Sequence, residues 1–156
     1  MSAKIYMQFN DIQGNGTEAE HKNWIPLSSC NFSIDRCVSQ ESGSEKLEFG
    51  VPSVSSLSIT KNMDISSIKM ISESFGGFGT DICTIHFVGE HGTYQEYKLS
   101  NAVISSYTMQ ASQGCFTAPH ESFTISFTRI ETKFIPKEKG SPSICAGYDI
   151  PTAKIL

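Results

Sequence analysis

Five cysteines and four histidines are the residues best suited to a catalytic or metal centre. Cys30, Cys37, Cys83, Cys115 and Cys145 are odd in number, and no two are spaced as C-x-x-C. A zinc site needs ligands grouped closely enough to close round one ion. His21, His86, His91 and His120 are as scattered as the thiols. No metal is expected, and the thiols read as free and reduced. A nucleophile needs a base within hydrogen-bond reach. Cys115 and His120 are the best thiol–imidazole candidates, yet no acylase or protease signature surrounds either. His86 alternates with Ile85 and Phe87, which makes it an outward-facing strand residue, and His91 lies in a turn. The carboxylates are dispersed, so spacing proposes no glycosidase-like pair. Gly76, Gly77 and Gly79 follow a helix instead of preceding one and form no phosphate cradle. The side chains therefore describe a non-catalytic protein without a cofactor.

The bulk properties narrow the partners. The chain has 156 residues, 38% of them hydrophobic, enough for one globular domain with a proper core. The core is expected over residues 4–136, with a Lys-, Gly-, Ser- and Pro-containing tail at 137–156. A net charge of −4 and the lack of clustered basic residues argue against nucleic acid. The nearest cluster, Lys133, Lys137 and Lys139, is interrupted by Glu138 and reads as a solvated strand end. No run is long and apolar enough for a transmembrane helix, so no membrane insertion is expected. Residues 1–9 alternate and carry Lys4 and Gln8, unlike the apolar centre of a signal peptide. The expectation is folding in the cytoplasm, with any exit made without a cleaved signal.

Period-two alternation dominates the elements. In residues 120–135, Phe123, Ile125 and Phe127 alternate with Ser122, Thr124, Ser126 and Thr128. The phase then slips, because Ile130 and Phe134 fall on the other face. A strand changes its buried face only at a bulge or bend, so a long strand bent near Arg129 is predicted. Residues 24–34 slip in the same way between Ile25/Leu27 and Cys30/Phe32/Ile34. Two such slips favour a coiled sheet or barrel over a flat sandwich. Residues 4–12 and 53–61 read as strands, 81–88 and 93–99 as a hairpin, and 102–111 as a further strand after a turn at Ser100 and Asn101.

Residues 64–75 are the one convincing helix. Asp64 is the predicted N-cap. Ile65, Ile68, Ile71 (or Ser72) and Phe75 form an apolar stripe expected to pack on the β-structure, with Ser66, Lys69 and Glu73 facing solvent. Gly76 and Gly77 end it. The fold class is thus mainly β: a coiled antiparallel barrel or sandwich with one flanking α-helix and an extended loop. That loop, residues 35–52, is polar and long for a connection inside a compact domain. Leu47 and Phe49 are its apolar anchors towards a neighbour, which makes an interaction arm as plausible as a floppy hairpin tip.

Several segments, in order, resemble the haemolysin-coregulated protein (Hcp) family, the tube proteins of type VI secretion. They are Ile5-Tyr6-Met7-Gln8-Phe9 with Ile12-Gln13-Gly14, then His21-Lys22-Asn23-Trp24-Ile25, then Leu57-Ser58-Ile59-Thr60-Lys61 leading to Asp64. Tyr97-Lys98-Leu99, Val103-Ile104-Ser105-Ser106-Tyr107, Pro119, Glu121-Ser122-Phe123, Phe127 and Ile130-Glu131 follow, with Gly147-Tyr148-Asp149-Ile150 in the tail. The resemblance implies a barrel with one helix. It also implies a homohexameric ring, with rings stacking into a hollow tube that a sheath propels behind a spike. Such a tube carries effectors and is itself released. It implies no catalytic residues and no cofactor. In the family the arm reaches a neighbouring subunit, which here would use Ser39, Gly43, Glu45, Lys46, Leu47 and Phe49. Residues 38–51 are shorter and poorer in glycine and arginine than in many members, which bears on stacking more than on ring formation. Two other readings stay open: a monomeric barrel binding a ligand inside, although Phe123, Phe127 and Phe134 should fill it, and a thiol enzyme using Cys115.

Overall fold

The computed structural model describes every residue except 1, 2, 41, 42, 44, 45, 115–117 and 139. The strands are β1 (Lys4–Phe9), β2 (Ile25–Leu27), β3 (Ser29–Asn31), β4 (Ile34–Asp35), β5 (Val38–Gln40), β6 (Leu47–Phe49), β7 (Ser53–Val54) and β8 (Leu57–Asn62). The helix α1 (Ser67–Gly76) follows. Then come β9 (Asp81–Gly89), β10 (Gly92–Gln110), β11 (His120–Ser126), β12 (Arg129–Phe134), β13 (Ile144–Asp149) and β14 (Lys154–Ile155).

The antiparallel ladders run round a circuit. β1 lies between β2 and β9, β9 pairs β10, β10 pairs β11, β11 pairs β8, and β8 pairs β3. Residues 25–31 close it: β2 belongs to the β1 side and β3 to the β8 side. Between them the Ser28 amide donates to the Thr60 carbonyl at 2.7 Å. The phase slip read in this segment is that crossing. Inside sit Met7, Phe9, Ile25, Leu57, Ile59, Ile85, Leu99, Phe123 and Ile125, each essentially without exposure. The barrel is therefore a filled core with no interior binding cavity among these side chains. Phe127 packs against that core, but Phe134 is exposed at the strand end and fills nothing.

The predicted long strand is divided. β11 ends at Ser126 and β12 begins at Arg129, so the break precedes Arg129 and is complete. β11 pairs the second half of β10, while β12 pairs its first half. The long curved strand is instead β10, of 19 residues, shared between both sides. Ser100 and Asn101 make no turn. Asn101 takes φ 53° inside β10, where the register with β9 shifts between Leu99 and Ala102, so one left-handed residue is absorbed as a bulge. Beyond β12 the tail adds β13 and β14 to the same sheet edge.

The helix docks by a face other than the predicted stripe: Ser66 turns inwards, while Lys69 faces solvent as expected and Ile71 is half-buried. Ser66, Ser67 and Met70 are buried, whereas Ile68 is 74% and Phe75 is 87% exposed. The cause lies beneath it. Lys61 and Glu121, side by side on β8 and β11, are both buried in the wall, and their Nζ–Oε1 distance is 2.7 Å. A buried ion pair needs its remaining protons and lone pairs satisfied. Lys61 Nζ also donates to Ser67 Oγ at 3.1 Å and lies 3.0 Å from Asp64 Oδ1. Ser67 donates to Glu121 Oε1 at 2.6 Å, and the Tyr107 hydroxyl donates to Oε2 at 2.7 Å. These bonds fix the helix rotation and turn Ile65, Ile68 and Phe75 outwards. Asp64 is not the N-cap: it precedes the helix and accepts from the Ser66 amide at 2.9 Å while facing Lys61. Gly77 ends the helix in an extended conformation, φ −66°, not a left-handed one.

Candidate subunit interface

Two apolar surfaces lie uncovered. The first is the segment predicted as an unstructured arm, which is a ribbon. β4 pairs β7, and β5 pairs β6, through Val38↔Phe49, Ser39↔Glu48 and Gln40↔Leu47. Opposed residues share a face, so Val38, Leu47 and Phe49 make one apolar side, with Ser39 and Glu48 on the other. Between the two ladders, the Gly50 amide donates to the Cys37 carbonyl at 2.8 Å. Arg36 donates from Nε to the Gly50 carbonyl at 3.1 Å, and its guanidinium sits 4.3 Å from the Phe49 ring centroid. Gly43, with φ +86°, belongs to the tip. A left-handed residue there suits glycine.

Among the described residues the ribbon strands pair only with each other in these two ladders, and the apolar side is exposed. Leu47 is 47% and Phe49 is 56% exposed. A two-stranded ribbon without a third strand or a covering layer is marginal in water. Of the residues predicted for contact, Ser39, Gly43, Lys46, Leu47 and Phe49 come together on this ribbon, and Glu45 lies outside the described residues. Val38, Ile34 and Val51 are exposed beside them, and sequence reasoning did not single them out. Their signal was the cross-strand register, which needs the pairing to be known.

The second surface is the outward helix stripe, Ile65, Ile68 and Phe75, continued by Phe78, which is 93% exposed, and by Ile82. Large apolar groups gathered on an open surface mark an interaction site more often than isolated ones do.

Of the chemical candidates among the described residues, His21 and His86 meet, with Nε2 and Nδ1 2.9 Å apart. Cys115 lies outside the described residues, and His120 is exposed with Nδ1 3.1 Å from Asn62 Oδ1. Among the described residues no three His, Cys, Asp or Glu side chains gather to hold a metal. Burial pushes the Cys30 thiol up to about 11 and raises that of Cys83 further, which suits inert packing and not nucleophilic attack. No helix of the described residues is long and apolar enough to cross a membrane.

A filled antiparallel barrel, one flanking helix and a two-ladder ribbon define a mainly β, barrel-type protein. The chain belongs to the Hcp family of type VI secretion: the family model described as "Type VI secretion system effector, Hcp" matches residues 6–134. Solved structures share the fold. One described as a type six secretion system protein superposes with a TM-score of 0.90 at 21% identity, covering 99% of this chain and 100% of that one. Hcp1 from Salmonella typhimurium gives 0.82 at 20% identity with both chains wholly covered. A type VI secretion system effector from Yersinia pestis gives 0.75 at 22% identity, covering 94% of this chain and 99% of that one. No curated protein matches.

Proposed function

We propose that the chain, as one tube domain over residues 1–156, forms homohexameric rings that stack into the inner tube of a type VI secretion system. The tube would carry effectors, meet the sheath and spike proteins, and be released from the cytoplasm without a cleaved signal. Family membership supports the system. The observation that carries the assembly is the pair of uncovered apolar surfaces on a subunit whose own core is complete. We assign ring-to-ring contact to the ribbon, through Ser39, Gly43, Lys46, Leu47 and Phe49 together with Glu45, which lies outside the described residues, and lateral ring contact to the helix stripe. No catalytic role is assigned, in keeping with a structural, secreted family. Native mass measurement tests this directly. A hexamer is expected; a monomer at high protein concentration overturns the proposal.

A further inference from the structure

A chain of four titratable groups lies on the outer barrel wall, under a loop whose Gly14, Gly16 and Asn23 line one hollow with Ile65. Glu18 Oε2 is 2.8 Å from His21 Nδ1, His21 Nε2 is 2.9 Å from His86 Nδ1, and His86 Nε2 is 3.1 Å from Glu96 Oε2. His86 stands on β9 opposite Tyr6 of β1 and Glu96 of β10. His21 belongs to the loop of residues 13–24, which lies over that wall. Its ring stacks on Tyr6 at 4.9 Å and meets His86 edge-on at 5.1 Å. His21 is 1% exposed. The loop is wound tightly: the Gly14 amide donates to the Asn23 carbonyl at 2.8 Å, and the Gly16 amide to the Trp24 carbonyl at 2.8 Å. A Cβ on Gly16 would fall 2.5 Å from the His21 carbonyl oxygen.

Proton counting limits what these contacts can be. With both carboxylates ionised, His21 Nδ1 and His86 Nε2 must each carry a proton to donate. The central nitrogen–nitrogen contact then needs one further proton, and only one. With none, two lone pairs face each other; with two, two N–H groups collide. The two imidazoles together therefore hold three ring protons and a single positive charge. Other charged groups lie close by: Lys98, Glu131 and Lys133 line one hollow with Glu96. Tyr6 comes from β1, and Lys133 of β12 lies opposite Glu96 in register. Glu20 and Lys22 on the loop are exposed, and Thr93 Oγ1 is 3.5 Å from His21 Nε2.

We propose that Glu18, His21, His86 and Glu96 form a one-proton latch that holds the loop of residues 13–24 against the barrel near neutral pH and releases it when a second proton is taken up. The sign follows from His86. Burial holds its imidazole below the ordinary 6.5, with His21 adding to the effect and Glu96 and Glu18 opposing it. The closed state thus resists the second proton, whereas the opened loop accepts it. Closure is therefore favoured most near the ordinary imidazole value and is lost as pH falls below it, where the opened loop binds a fourth ring proton; well above it the opened loop holds only two, and closure weakens again.

Trp24, the only tryptophan, reports on the latch, since its ring lies 4.8 Å from His21 and 4.6 Å from His86. The test is nitrogen-15 NMR of the imidazoles in the full chain, with amide exchange of Gly16, Asn23 and Trp24 followed from pH 7.5 to 4.5. Three protonated ring nitrogens of four are expected near neutrality. Below the transition, exchange of those amides, corrected for intrinsic chemistry, should rise by roughly tenfold per pH unit, while the β1–β9 ladder stays protected. Trp24 emission should change over the same interval. His86→Gln, which keeps a donor and an acceptor without a titrating charge, should flatten both responses. Two protonated nitrogens at neutrality, or loop exchange independent of pH, would overturn the latch. If His86→Gln does not fold, the nitrogen count in the unaltered protein decides alone.

Discussion

At the scale of single residues, Lys61 has the largest consequence for stability. All three of its ammonium protons face oxygen acceptors, on Glu121, Asp64 and Ser67. Lys61→Met leaves the Glu121 carboxylate buried without its counter-charge, and removing one partner of a buried pair typically costs about 3–5 kcal/mol. Denaturant unfolding of the isolated subunit should show that loss. The double variant Lys61→Met with Glu121→Leu should recover much of it, since two apolar groups leave no charge stranded between β8 and β11. The same site gives an acid-side dependence. Burial alone would raise the Glu121 carboxyl, but hydrogen bonds from Lys61, Ser67 and Tyr107, with the Lys61 charge, hold it below 4.5. Its contribution is therefore full above that value and fades as pH falls through the lower folded one, and Glu121→Gln should flatten this part of the profile. Among thiols, Cys37 and Cys145 are exposed and should alkylate in the native protein, while Cys30 and Cys83 should react only after unfolding. Prompt native labelling of Cys83 would mean that the wall opens more readily than its packing implies.

At the scale of elements, α1 separates folding from assembly. Ile68 is the second helical residue and faces out, so Ile68→Asp buries no charge in the subunit. A carboxylate in the first turn also complements the helix dipole. The thermal midpoint of the dissociated subunit should correspond to a change within about 0.5 kcal/mol, while native mass measurement should show the hexamer lost. A destabilised subunit with its ring intact would place the stripe against the barrel after all. The strands were largely legible in the sequence: Phe123 and Ile125 gave the phase of β11, with Phe127 just beyond it, and the slip to Ile130 marked the passage to β12. The position of the helix was legible too, but not its rotation. A period-3.6 stripe assumes that the surface beneath is apolar. Here that surface carries a lysine and a glutamate from strands distant in sequence, and no local pattern shows that Lys61 and Glu121 meet. Asn101 misled in a similar way, because a turn-prone residue within β10 is absorbed as a bulge once ladders hold both flanks. Leu47 and Phe49 were legible as candidate contacts, being apolar residues in a polar loop. Their partner Val38 emerges only from the β5–β6 register, and the His21–His86 contact only from the loop lying across the wall.

At the scale of the whole molecule, the ribbon and the barrel are energetically separate. The core at Phe9, Ile59, Leu99 and Phe123 is complete without residues 34–54. Among the described residues the ribbon holds two short ladders, the Gly50–Cys37 and Arg36–Gly50 hydrogen bonds and an Arg36–Phe49 contact, with its apolar side exposed. Ordering each residue costs about 1–2 kcal/mol in backbone entropy, and burying Leu47 and Phe49 on a neighbour would supply part of the offset at about 25 cal/mol per Å² of apolar area. Amide exchange in the ribbon should therefore be fast in an isolated ring and slow in a stacked tube, and Cys37 alkylation should slow in parallel. Replacing Leu47 and Phe49 together with serine removes the side chains that a neighbour would cover and leaves the barrel untouched. On the proposed assembly, the double variant should keep the unfolding midpoint of the subunit and a hexamer mass, but sediment at high concentration as single rings where the unaltered protein should form long tubes. Equal tube lengths for the two proteins would mean that the ribbon is only a surface hairpin, and stacking would then have to rest on other faces of the ring.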